Sequence, residues 1–179
     1  MKETIMLFFE EAVGPELEEA VGPELAVILC SMIPVIELRG AIPVGWFTFD
    51  MPWWQTYLFS VLGNMLPVPI ILLFVQKVLE WMERSPFKLF QKVAGWVRRK
   101  ADKNIDKIQK FGFWGVCFFV AIPLPMTGAW TGSLVAATIH MKFWRAMLSA
   151  FLGVLIAGTI VTLICFGIDQ GVSWLSFLV

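Results

Sequence analysis

Ile33-Pro34-Val35-Ile36-Glu37-Leu38-Arg39-Gly40-Ala41-Ile42-Pro43-Val44-Gly45-Trp46 decides how the rest of the chain is read. A carboxylate and a guanidinium stand two residues apart within an apolar segment, about 25–49, that is otherwise uncharged. Proline removes a backbone donor and clashes with the preceding turn, while glycine accepts the left-handed backbone of a tight reversal. A straight helix through Pro34, Gly40, Pro43 and Gly45 is therefore not expected. A charge at bilayer depth costs roughly 2.5–3.5 kcal/mol on insertion scales, which makes an intramembrane Glu or Arg a functional candidate. Irregular backbone survives at that depth only when it is buried in protein or lines a wet cavity. The stretch is predicted to be a re-entrant hairpin whose tip carries Glu37 and Arg39. Ile122-Pro123-Leu124-Pro125-Met126-Thr127-Gly128-Ala129-Trp130 is predicted to be its partner.

The surrounding composition is that of an integral membrane protein. Of 179 residues, 58% are hydrophobic, and the mean hydropathy is +0.76; soluble domains average about 45–50% apolar. The apolar runs exceed the roughly 18 residues that indicate a membrane segment. The zero net charge hides segregation. Residues 1–25 hold seven Glu against Lys2, and residues 76–110 hold ten Lys/Arg against four Asp/Glu, a net of +6. The positive-inside rule assigns the 76–110 connector to the cytoplasm. Lipid is its expected counter-charge, and nucleic acid is not expected as a partner. No charged signal-peptide start is evident, so insertion is expected to rely on the membrane segments themselves.

Taken in order, 1–24 is an acidic interfacial segment in which Glu-Glu-Ala-Val-Gly-Pro-Glu-Leu occurs twice, at 10–17 and 18–25. Each Gly-Pro is expected to interrupt a helix. Residues 25–179 form one membrane domain. Its first repeat, 25–75, comprises the hairpin and then a span from Trp54 to Val75, with Asp50 as the expected helix cap and Pro52 in the first turn. The connector 76–110 spaces apolar residues as amphipathic helices on the cytoplasmic surface do. The second repeat, 111–168, is a hairpin turning at Pro123–Gly128 and a span from Trp144 to Ile168. The tail 169–179 is interfacial. The halves share landmarks: Ile33-Pro34 then Gly40-Ala41 against Ile122-Pro123 then Gly128-Ala129, and Trp54 before Gly63 against Trp144 before Gly153. A hairpin plus one span makes an odd number of crossings, so the second half is expected to be inverted relative to the first, as in secondary transporters. The alternative is six complete spans.

The fold class expected is an all-α polytopic membrane protein, an inverted repeat of re-entrant hairpin plus transmembrane helix. Pro34, Gly40, Pro43, Pro123, Pro125 and Gly128 form the hairpin tips. Glu37, Arg39 and Thr127 are the candidate substrate- or proton-binding groups, and Trp46 and Trp130 are candidate gates. Burial and a neighbouring Arg act oppositely on a carboxyl, so Glu37 suits proton loading and release; Arg39 suits a phosphate headgroup. A structural ion pair is the competing reading. Asn64 is expected to hydrogen-bond across to a hairpin as structural glue. His140 and most of the nine Trp are expected at the interfaces. Cys30, Cys117 and Cys165 sit singly in apolar runs, which argues against both disulfide and metal. No nucleophile–base pair, metal cluster or phosphate loop is evident, so neither an enzyme nor a cofactor is expected.

On Glu37-Leu38-Arg39-Gly40-Ala41-Ile42-Pro43 and Ala121-Ile122-Pro123-Leu124-Pro125-Met126-Thr127-Gly128-Ala129-Trp130-Thr131-Gly132, the chain resembles the small multi-drug export protein family of prokaryotes. That family looks distantly related to the DedA (VTT) superfamily. The resemblance, over about 25–168, implies paired re-entrant hairpins and a transport role in a prokaryotic cell membrane. The DedA relation implies translocation of lipid carriers such as polyprenyl phosphates through acidic and arginine residues, which Glu37 and Arg39 match; Ile122–Gly128 has neither. The function expected is a proton-coupled transporter of a lipid-linked or amphipathic substrate, with membrane lipids and protons as partners and a homodimer as the assembly. A cationic drug exporter and a non-transporting lipid-organising scaffold are the alternatives.

Overall fold

The computed structural model describes residues 19–84, 105–122, 128–139 and 141–170. Among these residues every regular element is helical. Gly22, at φ 84, ends a short helical turn, and Pro23 opens α1 (Pro23–Met32) at the position where its missing N–H costs nothing. This is the second Gly-Pro of the octapeptide repeat; the first lies outside the described residues. α1 stops because Pro34 pushes Ile33 out of the helical region, to φ −72 and ψ 127. The chain reverses over Ile33–Ile36, with the Glu37 N–H bonded to the Ile33 carbonyl at 2.9 Å, and enters α2 (Glu37–Pro43).

Pro43 ends α2, and a π-helical segment, Val44–Thr48, takes over. Its wider register closes with Phe49 N–H on the Val44 carbonyl at 3.1 Å, as short π segments do inside α-helices. Gly45 lets this segment press between α1 and the next helix: a Cβ there would stand 2.7 Å from Thr56 Cγ2 and 2.9 Å from Val27 Cγ2. Asp50 does not cap the following helix as expected. It is exposed at φ 48 in the chain reversal, and Pro52 occupies the N-cap position of α3 (Trp53–Met65) with no side-chain cap.

α3 leads through Leu66, itself helical at φ −57 and ψ −44, into α4 (Pro67–Arg84). α5 (Ile105–Ala121), α6 (Ala129–Thr138) and α7 (Phe143–Asp169) follow. Thus α4 and α5 run into the 76–110 segment from either side, and its centre lies outside the described residues. Among the described residues two helices are long and apolar enough to cross a membrane: Trp53–Phe74 and Phe143–Asp169, with mean hydropathy 1.9 and 2.5. Their outward faces are apolar too. Leu58, Leu62, Leu66, Ile70 and Phe74 form one exposed stripe on α3–α4, and Leu148, Ile156, Leu163 and Phe166 are exposed on α7. Such contiguous apolar surface belongs in lipid. By contrast α1 has ten residues, about 15 Å of helix, half of what a hydrocarbon core of about 30 Å demands.

Packing between helices uses small residues. α1 lies along α3 and α5 along α7; α2 reaches α7, and α6 reaches α4. A Cβ on Gly63 of α3 would overlap the Ile28 carbonyl of α1, and one on Gly153 of α7 would stand 2.7 Å from the Cys117 carbonyl of α5. Close approach of this kind replaces the hydrophobic driving force that lipid cannot supply. Ser31 Oγ on α1 donates to the Ser60 carbonyl on α3, and Ser149 Oγ on α7 to the Phe113 carbonyl on α5, each at 2.5 Å. Leu38 and Ile42 of α2 join Val116, Val120, Val154 and Val161 in the main apolar core.

Candidate functional site

The two charged residues of the first break meet the second. Glu37 and Arg39 are the first and third residues of α2, immediately past the turn, and Gly40 and Pro43 lie within α2 rather than at a hairpin tip. Of the residues expected there, Pro34 is in the turn itself, beside Val35, which is 90% exposed. The displacement follows from the short turn: once the Glu37 N–H closes on Ile33, helix resumes at once.

Glu37 is 4% exposed, and its carboxylate rests against Gly128, where a Cβ would overlap it. Gly128 is the N-cap of α6 and has no side chain with which to cap it. Glu37 supplies the missing acceptor from another helix by taking the Trp130 backbone N–H. The first N–H groups of a helix lack intrahelical partners and carry a partial positive charge, so a carboxylate is well matched to them. Gly128 sits at φ −149 and ψ −166, ordinary extended backbone, so glycine is needed there for space rather than conformation. The Gly128 N–H is held by Thr131 Oγ1 at 3.1 Å.

Arg39 does the complementary work at the other side of the same break. Its Nη2 lies 3.4 Å from the Ile122 carbonyl, just past the end of α5, where helix carbonyls lack partners and attract cations. The same nitrogen is 3.9 Å from Glu37 Oε2, and the Arg39 side chain is 19% exposed. Acid at the start of α6 and base at the end of α5 thus grip the second break from both ends. That explains how Ile122–Gly128 dispenses with charged residues of its own.

Two further features mark the position. Glu37 has φ 49, a left-handed backbone that costs a non-glycine residue roughly 1–2 kcal/mol. Strain of this kind persists only where surroundings over-determine it. Trp130, whose backbone holds Glu37, also donates its indole Nε1–H to the Met32 carbonyl at the end of α1, at 3.0 Å. Trp46 is half-buried beside Phe47, ring centroids 6.0 Å apart. Pro123, Pro125 and Thr127, like His140, lie outside the described residues. No group of three or more His, Cys, Asp and Glu is placed to hold a metal among the described residues.

The interlocked segment is also where known proteins are met. A family model described as "Putative small multi-drug export protein" matches residues 37–160, beginning at Glu37 and covering more than half of the chain. The chain belongs to that family. No curated protein and no solved structure matched it. Family and apolar helices together make it a small membrane protein of an export family.

The sequence reading missed the partners rather than the principals. The Trp130 N–H, the Ile122 carbonyl and the Ser60 carbonyl that takes the Ser31 hydroxyl are backbone groups with no side-chain signature. The one legible sign was Gly128 opening a helix without any capping side chain. Asn64, expected to bond across to a hairpin, is 1% exposed, yet neither polar atom of its amide has a hydrogen-bond partner among the described residues.

Proposed function

We propose that the chain is a proton-coupled exporter of a lipid-linked or amphipathic substrate, with Glu37 as proton carrier. Its architecture is an inverted repeat: α1, α2 and the α3–α4 helix form one half, α5, α6 and α7 the other. Helices of seven to seventeen residues around each break, reciprocal packing of α2 on α7 and α6 on α4, and Gly63 and Gly153 in matching roles support this plan. Each short pair re-enters from its own side, and each long helix crosses.

The observation that carries the mechanism is the Glu37 carboxylate capping α6 from α2. An anion there binds the halves together; a neutral carboxylic acid loses its attraction for both Arg39 and the helix N-terminus. Proton loading therefore loosens the grip between halves, and proton release restores it, which is the coupling a carrier requires. With Glu37 neutral, Arg39 is available to a substrate phosphate, which favours a polyprenyl-phosphate-like lipid. Thr127 completes the binding groups, Trp46 and Trp130 act as gates, the 76–110 connector faces the cytoplasm, and two copies form the working unit.

Liposome flux of a fluorescent polyprenyl phosphate tests this. Gln accepts the same N–H but carries no charge and cannot titrate, so Glu37→Gln is expected to fold, to melt below wild type because Arg39 loses its anion, and to lose about a hundredfold in flux. Retained flux overturns Glu37 as the proton carrier, and a wild-type protein that gives no flux above protein-free liposomes favours the scaffold. The family description supports a second reading, export of a cationic drug. Arg39→Ala discriminates: it cripples phosphate transport and spares efflux of a cationic dye.

A further inference from the structure

The exposed stripe on α3–α4 does not end at Phe74. Ile70, Leu73, Phe74, Lys77, Trp81 and Arg84 follow one another along α4, and all six are exposed, Trp81 by 62%. At about 100° per residue they fall within an arc of about 100°, a single face of the helix. Glu80 and Glu83 fall outside that arc. The face thus passes from apolar side chains to an exposed tryptophan with a cation about one turn to either side. Trp54, exposed at the start of α3, precedes Trp81 by about 27 residues, or about 40 Å of helix. A bilayer with its headgroups is about that thick, so the two rings stand where aromatic belts stand. Lys77 lies toward the hydrocarbon, from which a lysine reaches up to the headgroups, and Arg84 toward the water.

We infer that this face binds an anionic phospholipid, with an acyl chain along Ile70 and Phe74 and the phosphate held by Lys77 and Arg84 beside Trp81. Two features select that occupant. The apolar part continues a surface that belongs in lipid, so a lipid chain covers it. The charged part calls for an anion, and residues 76–110 as a whole carry a net +6 that the carboxylates of the segment do not balance. An ammonium and a guanidinium on one face hold a phosphate by charge-assisted hydrogen bonds. A zwitterionic lipid carries the same phosphate but offsets it with its own ammonium, so it is the weaker ligand. Such a site needs only the membrane helices, whatever the chain carries.

Native mass spectrometry of the full chain in detergent, given equal amounts of phosphatidylglycerol and phosphatidylcholine of matched chains, tests this. Each cation near the surface is worth roughly fivefold in affinity for an anionic lipid. The first bound lipid is expected to be phosphatidylglycerol by about tenfold in the wild type, and the preference is expected to fall near parity in Lys77→Gln/Arg84→Gln. Both side chains are exposed, so that variant is expected to melt as wild type. Lys142→Gln/Arg145→Gln removes the same charge at the start of α7, where neither cation shares a face with Trp144, and is expected to keep the preference within about twofold. An unchanged preference in Lys77→Gln/Arg84→Gln overturns the proposal. An equal loss in Lys142→Gln/Arg145→Gln also overturns it, because net charge and not this face then selects the lipid. So does displacement by an equal concentration of glycerophosphoglycerol, the headgroup without its chains, since the apolar half of the face then contributes nothing.

Discussion

Replacing Gly128 with alanine tests the interlock more directly than any change to the charges. The backbone there is extended, so alanine adopts it without strain, and the only consequence is that its methyl takes the space of the Glu37 carboxylate. The carboxylate must withdraw from the α6 N-terminus, leaving the Trp130 N–H without its acceptor and stretching the contact with Arg39. Removing one member of a buried pair costs about 3–5 kcal/mol. Arg39 is part exposed and its contact with Glu37 is long, at 3.9 Å, so about 2–3 kcal/mol is the expected loss for Gly128→Ala. Glu37→Ala abolishes the same interactions and is expected to cost a similar amount. The double variant has no carboxylate to expel, and the added methyl costs it less than about 1 kcal/mol. The two substitutions are therefore non-additive by about 2 kcal/mol, the double variant being nearly as stable as Glu37→Ala alone. Denaturation of the four proteins in detergent or nanodiscs measures the cycle. Additive losses, or Gly128→Ala as stable as wild type, refute the claim that Glu37 caps α6.

Other consequences follow from single contacts. Gly63→Ala and Gly153→Ala each push a methyl against backbone rather than a yielding side chain, and each is expected to lose about 1–3 kcal/mol in the same denaturation assay. Trp130→Phe keeps the ring and gives up only the indole bond to Met32, for about 0.5–1.5 kcal/mol. Tyr57→Phe removes a hydroxyl that donates to the Leu155 carbonyl at 3.1 Å, an oxygen that Thr159 Oγ1 also bonds, so less than about 1 kcal/mol is expected. Asp50→Gly relieves a left-handed backbone at an exposed site and is expected to raise stability by up to about 1 kcal/mol, read as a higher melting temperature.

Much was legible along the chain because the signals are local. Long apolar runs determined the two helices long and apolar enough to cross a membrane, since that depends on composition over about twenty residues. Pro34 determined where α1 stops, because the clash acts on the preceding residue alone. A Glu and an Arg in an apolar stretch identified the residues worth attention, since lone charges there are costly wherever they end up. What each charge meets was decided by tertiary structure. Glu37 reaches the start of α6, some ninety positions along the chain, and finds room only because Gly128 lacks a side chain; Arg39 reaches the Ile122 carbonyl. Those partners are backbone groups, which every residue carries alike, so no pattern of side chains could announce them. The unpaired Asn64 amide belongs to the same class: its sequence shows that it can bond, and only the packing of α1 on α3 decides that no described protein group answers it.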